Sequence, residues 1–239
     1  MLPLLGLLAR TPWGNAALEL TSPDALDALR LSLVASLSAT AIALVLGVPL
    51  AWLYARIDFP GRSLLRALTT LPMVLPPVVG GVALLLAFGR RGLLGGLLED
   101  AGISLPFTTA GAVMAETFVA MPFLVLTVEA GLRSMDRRYE EAARTLGANR
   151  WTVFWRVTVP LIAPSLAAGA VLCWARALGE FGATITFAGN FPGVTQTMPL
   201  AVYLLLETDP QASFVLSLVM LAISVAVLTG LRHRWLGTP

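Results

Sequence analysis

Few residues in this chain can do chemistry. Arg176 and Glu180 lie four apart in the stretch WARALGEFGATITFAGNFPGVTQTMP (174–199), so they can pair along one helix face. Two roles are open for the pair. In one, the charges neutralise each other and hold a helix bundle together. In the other, Arg176 lines an anion route with the hydroxyls and amides of Thr184, Thr186, Asn190, Thr195 and Thr197, since such donors suit an oxyanion. Passage requires weak binding, which one paired arginine fits better than a cluster of unpaired ones. Glu116 lies about ten residues into an apolar run and is a candidate intramembrane carboxylate. Glu129, near the far end of the same run, reads as reaching the interface. The only histidine is His233, and the only cysteine, Cys173, has no histidine near it in sequence. Zinc sites and Ser-His pairs are therefore nearly excluded, while an acidic pair such as Glu116 with Glu180 keeps an intramembrane enzyme in view.

The elements that must position these groups are membrane helices. The 239 residues are 57% hydrophobic and 13% charged, against about 25% charged in soluble domains, so a single soluble core cannot hide the apolar surface. All sixteen basic residues are arginine. A Walker A phosphate loop needs a lysine, so any ATP hydrolysis belongs to a separate subunit. The net charge of +2 sits in loops and suits a membrane surface rather than nucleic acid. Neither the motifs nor the spacing predicts a metal or cofactor on this chain.

In chain order, residues 1–24 read as a leader too short and too broken to span, with a sixth span as the minority alternative. Five spans are expected over 31–54, 64–88, 106–132, 157–178 and 214–231. Ser22 or Asp24 is available to cap the start of the first. The second holds Pro72, Pro76, Pro77, Gly80 and Gly81, so it must kink or break, and broken helices line paths in transport proteins. Pro76 and Pro77 are for that reason candidate path residues beside Arg176, Glu180, Thr184 and Thr186. The regions around 56–66, 133–156 and the C-terminus hold eleven arginines, and the other side and span ends hold five. That bias puts the 133–156 loop and the C-terminus in the cytoplasm and the N-terminus outside, in a multi-pass plasma (inner) membrane protein.

The loop itself, EEAARTLGANRWTVFWRVTVP (140–160), is the most polar stretch. Tyr139, Ala142, Ala143 and Leu146 recur at helical spacing as one apolar face, with Arg137, Arg138, Glu140, Glu141 and Arg144 mostly on the others. Gly147 is a natural stop, and a second helical run begins near Arg150 and meets Pro160. On amphipathicity alone, a helix whose arginines sit among anionic headgroups fits as well as one that docks a protein.

The spacing is more specific. Glu141-Ala142-Ala143, three residues, Gly147, nine residues, then Val157-x-Val159-Pro160 resembles the EAA loop of ABC importer permeases, with valines for the usual Ile and Leu. Arg144 to Ala148 with Trp151 and Phe154, Ala175 to Thr184, Leu71 to Val79, and Gly89-Arg90-Arg91-Gly92 make the likeness that of the molybdate-type permeases, over about residues 25–235. Sulfate and thiosulfate permeases share the Gly179-to-Ala183 segment, so that segment alone gives an oxyanion importer. The resemblance implies a type I importer fold, all-α, with Glu140, Glu141, Ala142, Ala143, Arg144, Gly147 and Pro160 in a coupling loop. It also implies a homodimer of permeases, two ATP-binding subunits that hold ATP and magnesium, an extracytoplasmic binding protein, and molybdate or tungstate as cargo. A scaffold or assembly factor is the remaining rival, distinguished by the absence of an ATPase partner.

Overall fold

A computed structural model describes residues 2–235, with side chains through residue 230. The expectations placed on Arg232, His233 and Arg234 lie outside the described side chains. The chain opens with two short helices, α1 (Leu2–Arg10) and α2 (Ala16–Leu20). At 1.5 Å per residue neither is long enough by itself to cross the roughly 30 Å of a bilayer core.

The first long helix, α3 (Pro23–Arg56), starts where the capping signal places it, with Ser22 as the cap. The Ser22 hydroxyl accepts the Ala25 N–H at 3.3 Å, and Pro23 occupies the first turn, where a missing N–H costs nothing. The second expected span is not one helix. It comprises α4 (Arg62–Thr70), a 3₁₀ turn (Leu71–Met73) and α5 (Pro77–Phe88), bent by 117° between its two limbs. Pro72, Pro76 and Pro77 each lack the N–H that a continuous helix would need there. On α4, Leu64, Leu65 and Leu68 are exposed, so this limb keeps an apolar face outward.

A six-residue helix, α6 (Gly95–Asp100), interrupts what reads as a loop. Thr108 then caps α7 (Thr109–Ser134) by accepting the Gly111 N–H at 3.1 Å, three residues after the expected start. The polar loop holds α8 (Arg138–Thr145) and α9 (Arg150–Val153), with Asn149 capping the latter. A π-helical stretch (Phe154–Thr158) runs on into α10 (Val159–Leu178). The fourth span is therefore one apolar rod over Arg150–Leu178. Pro160 cannot bond back one turn, and the wider π turn relieves that misfit without ending the helix. Two shorter helices, α11 (Gly182–Phe187) and α12 (Met198–Thr208), precede α13 (Pro210–Trp235). Among the described residues four helices are long and apolar enough to cross a membrane, or five if the bent pair counts as one.

The bundle is built on α3, α7 and α10, which pack most extensively. The seam on α3 is Ala28, Ser32, Ala35, Ser36, Ala39, Thr40, Ala43, Gly47 and Ala51, all buried and spaced three or four apart. Small residues let backbones approach where lipid supplies no hydrophobic drive between helices. Polar cross-links lock the seam. Trp174 Nε1 donates to Ser36 Oγ at 3.0 Å, and the Met198 N–H donates to Ser32 Oγ at 2.7 Å. The approach of α7 to α10 is closest at Gly131, where an added Cβ would lie 2.5 Å from Ser165 Cβ. Gly131→Val is therefore expected to destabilise the bundle by about 1–3 kcal/mol. Thermal denaturation in detergent checks this, and an unchanged midpoint would refute the close-packed seam.

Candidate functional site

The chemistry-bearing residues gather at two places, one at each end of α10. At its start, α8 lies beneath the ends of α3 and α10. It stops where the spacing predicts, with Gly147 at φ +86°, a left-handed conformation that glycine adopts freely. Tyr139, Ala142 and Leu146, the apolar stripe, are exposed, as are Glu141 and Arg144, while Ala143 is half-buried. The buried residue is Glu140, assigned to the polar face. Glu140 Oε1 accepts from Thr158 Oγ1 at 2.8 Å and pairs with Arg56 Nη2 at 3.3 Å. Nothing in the sequence links Arg56 to a residue 84 positions away. Pro160 sits in the first turn of α10, exposed. A groove of about 630 Å³ runs between α3 and this loop, lined by Trp52, Arg56, Glu141, Arg144, Arg150 and Trp151.

Glu129, near the end of α7, is buried against the bundle, with Oε1 2.8 Å from Arg133 Nη2 and Oε2 3.1 Å from Arg66 Nε. The second contact is an ion pair lying outside hydrogen-bond alignment. The arginine four residues on was a visible signal; the one on α4 was not.

At the far end of α10, Arg176 and Glu180 do pair, Nη2 to Oε2 at 2.6 Å. Glu180 is buried, and its Oε1 accepts the Ala183 N–H at 2.8 Å, which fixes the start of α11. The hydroxyls divide into two groups. Thr186 donates back to Gly182 O, and Thr195 accepts the Phe191 N–H. Thr184 Oγ1, Thr197 Oγ1 and Asn190 Oδ1 are buried without a protein partner. Glu116 is buried as expected, and its Oε2 also lacks a partner. The limb α5 is held against α11, since a Cβ at Gly182 would lie 2.9 Å from Pro77 Cβ and one at Gly81 2.6 Å from Thr186 Cβ. Pro77, itself exposed, and Thr186 thus join one packed unit with Arg176, Glu180 and Thr184, and Pro76, at the N-cap of α5, is exposed as well. Among the described residues no group of three or more His, Cys, Asp and Glu side chains could hold a metal ion.

A bundle of apolar helices, one span broken by prolines, with a short helix hung outside, defines a membrane transport component. The chain belongs to the family of binding-protein-dependent transport system inner membrane components, whose pattern matches residues 43–236. It is a multi-pass permease subunit of an ABC transporter rather than a catalytic enzyme. It is 47% identical to the molybdenum transport system permease protein ModB of Mycobacterium tuberculosis, over 98% of this chain and 88% of that one. With ModB of Escherichia coli K12 the identity is 44%, covering 91% and 95%. The sulfate transport system permease protein CysT of the same strain is 38% identical, covering 95% and 84%. In fold, a chain of a bacterial ABC transporter for the acidic polysaccharide alginate superposes with TM-score 0.74 at 18% identity, covering 97% of this chain and 87% of that one. A chain of the methionine ABC transporter gives 0.58 at 20%, covering 96% and 97%.

Removing Arg176 would strand Glu180 without its countercharge. Arg176→Leu is expected to cost about 3–5 kcal/mol, and Arg176→Leu with Glu180→Leu distinctly less, because the unpaired buried charge is then gone. Unfolding in lipid nanodiscs tests this; a double variant no better than the single would show that the pair does not carry the effect.

Proposed function

We propose that this chain is the permease subunit of an ATP-driven importer of molybdate, with tungstate as a second cargo. Two copies would form the pathway, two separate ATP-binding subunits would drive it, and an extracytoplasmic binding protein would deliver the anion. The leader of residues 1–24 then lies outside the membrane-spanning unit of 25–235, with the N-terminus outside and the α8 loop and C-terminus in the cytoplasm, where arginines face anionic lipid.

The observation that supports the coupling role is the exposure of the motif face of α8. Tyr139, Glu141, Ala142, Arg144 and Leu146 all point away from the bundle. A free apolar stripe flanked by both signs of charge suits a cleft on a partner, and the left-handed turn at Gly147 makes the helix a compact knob. The cargo follows from relatives named for molybdenum at 43–47% identity, against 35–41% for relatives named for sulfate. Molybdate and sulfate are both tetrahedral dianions of similar size, so the binding protein would carry most of the discrimination. Arg176, held by Glu180, with the unpartnered Thr184 hydroxyl nearby, would give a moving anion a weak station. Pro76, Pro77 and Thr186 would belong to the same wall.

Vesicles holding the permease, its ATPase and its binding protein should take up labelled molybdate with ATP. Excess tungstate should block uptake and excess sulfate should not. Block by sulfate would move the protein to the sulfate and thiosulfate branch, and absence of ATP-dependent uptake would refute the importer. In the same vesicles Glu141→Arg, placing a cation on the docking face, should abolish uptake with the permease still in the membrane; unchanged uptake would refute the docking role.

A further inference from the structure

The ion pair beneath the bundle, Arg56 with Glu140, has a geometry that stability alone does not explain. Both side chains are 8% exposed. Taking two charges from water costs about as much as their attraction returns, so an apolar pair would hold the same space as well. What an apolar pair would not do is fix one atom against two helices. Glu140 Oε1 receives both Arg56 Nη2 at the end of α3 and Thr158 Oγ1 at the base of α10. The end of α3 is gathered in turn by other arginines. Tyr54 O accepts from Arg62 and from Arg133, and Ala55 O accepts from Arg137 at 3.2 Å. Beyond Thr158, α10 runs eighteen residues to Arg176, about 27 Å of helix.

We infer that Glu140 is a positioning residue that bolts α8 to α3 and α10, so that a displacement of α8 becomes a displacement of the Arg176–Glu180 end of the pathway. Glu141 and the apolar stripe face the partner; Glu140 faces inward and transmits. The π-helical stretch next to the bolt holds the rod continuous from Arg150 to Leu178. A shift at its base is therefore carried along α10 rather than absorbed at a break. This inference rests on the coupling role proposed above, and deepens it.

The test uses the full complex of permease, ATPase and binding protein in vesicles, with four permeases: wild type, Glu140→Ala, Glu140→Gln and Arg56→Ala/Glu140→Ala. The readouts are ATPase retained on purification, ATP hydrolysis, and molybdate imported per ATP. Glu140→Ala should retain the ATPase and hydrolyse ATP within about twofold of wild type, while import per ATP falls about tenfold, within the span of ordinary coupling energies. Glu140→Gln, which still accepts from Thr158, should recover part of that ratio. The double variant should be no worse than Glu140→Ala. Unchanged import per ATP overturns the inference. So does a parallel fall in membrane level, hydrolysis and import, which a merely structural pair would give, or loss of the bound ATPase, which would make Glu140 a docking residue. Failure of the importer reading is seen separately, as a wild-type complex that imports no molybdate; the same ratio is then read with sulfate as the probe.

Discussion

A carboxylate withdrawn from water is costly unless matched by a countercharge or hydrogen-bond donors, and among the described residues three of the four buried glutamates are so matched, Glu116 being the exception. Glu140 is matched by Arg56 at the loop end, Glu129 by Arg66 and Arg133 in the lower third of α7, and Glu180 by Arg176 at the far end of α10. Two of these pairs also join separate elements, α3 with α8 and α4 with α7. With no lysine in the chain, every countercharge is a guanidinium, whose several donors can serve a carboxylate and a backbone carbonyl together. Arg133 does so, bonding both Glu129 and Tyr54 O. The ion pairs thereby also cap the end of α3, whose last carbonyls would otherwise lack partners.

The close seam between α3 and α7 makes those placements narrow. Alanine, serine and glycine at three- and four-residue intervals bring the backbones together, and large side chains such as Leu124 and Val125 fill against Gly47. A seam of that kind has little slack. An element tied to it by a short ion pair takes up the position of the helices, and any force on that element returns to them. The broken pair α4 and α5 stands in contrast. Its prolines remove the continuous ladder, so α5 can pack its glycines on α11 while α4 turns away by 117°.

Much of this was legible in the residues. Composition gave the membrane class, the prolines gave the break in the second span, and Ser22, Gly147 and the Arg176–Glu180 spacing each did what their chemistry demands. What escaped depends on contacts far apart in the chain. Amphipathicity put Glu140 on a polar face of α8, but a helical pattern reports which face is apolar and not which face is turned inward. Here the apolar face waits outside and the acid is buried, since Arg56 and Thr158 meet it. The partner of Glu129 on α4 was out of sight in the same way, because Arg66 lies 63 residues away in the chain. The start of the fourth span was missed because the proline that should end a helix is accommodated by the π turn.

The charge balance at the far end of α10 bears on how such a pathway could work. Glu180 is fully buried and its second oxygen is occupied by the Ala183 N–H, whereas the Arg176 side chain is 28% exposed. On the proposed route an anion would meet there a guanidinium already held by a carboxylate. Its attraction would be that of a dipole rather than of a free charge, which suits the weak binding that passage requires. Because Glu180 also anchors the first turn of α11, and α11 carries α5 against it, the pair cannot shift without moving both short helices. A displacement carried along α10 would therefore reshape the wall beside the anion and withdraw its arginine in one motion, and release would need no separate trigger.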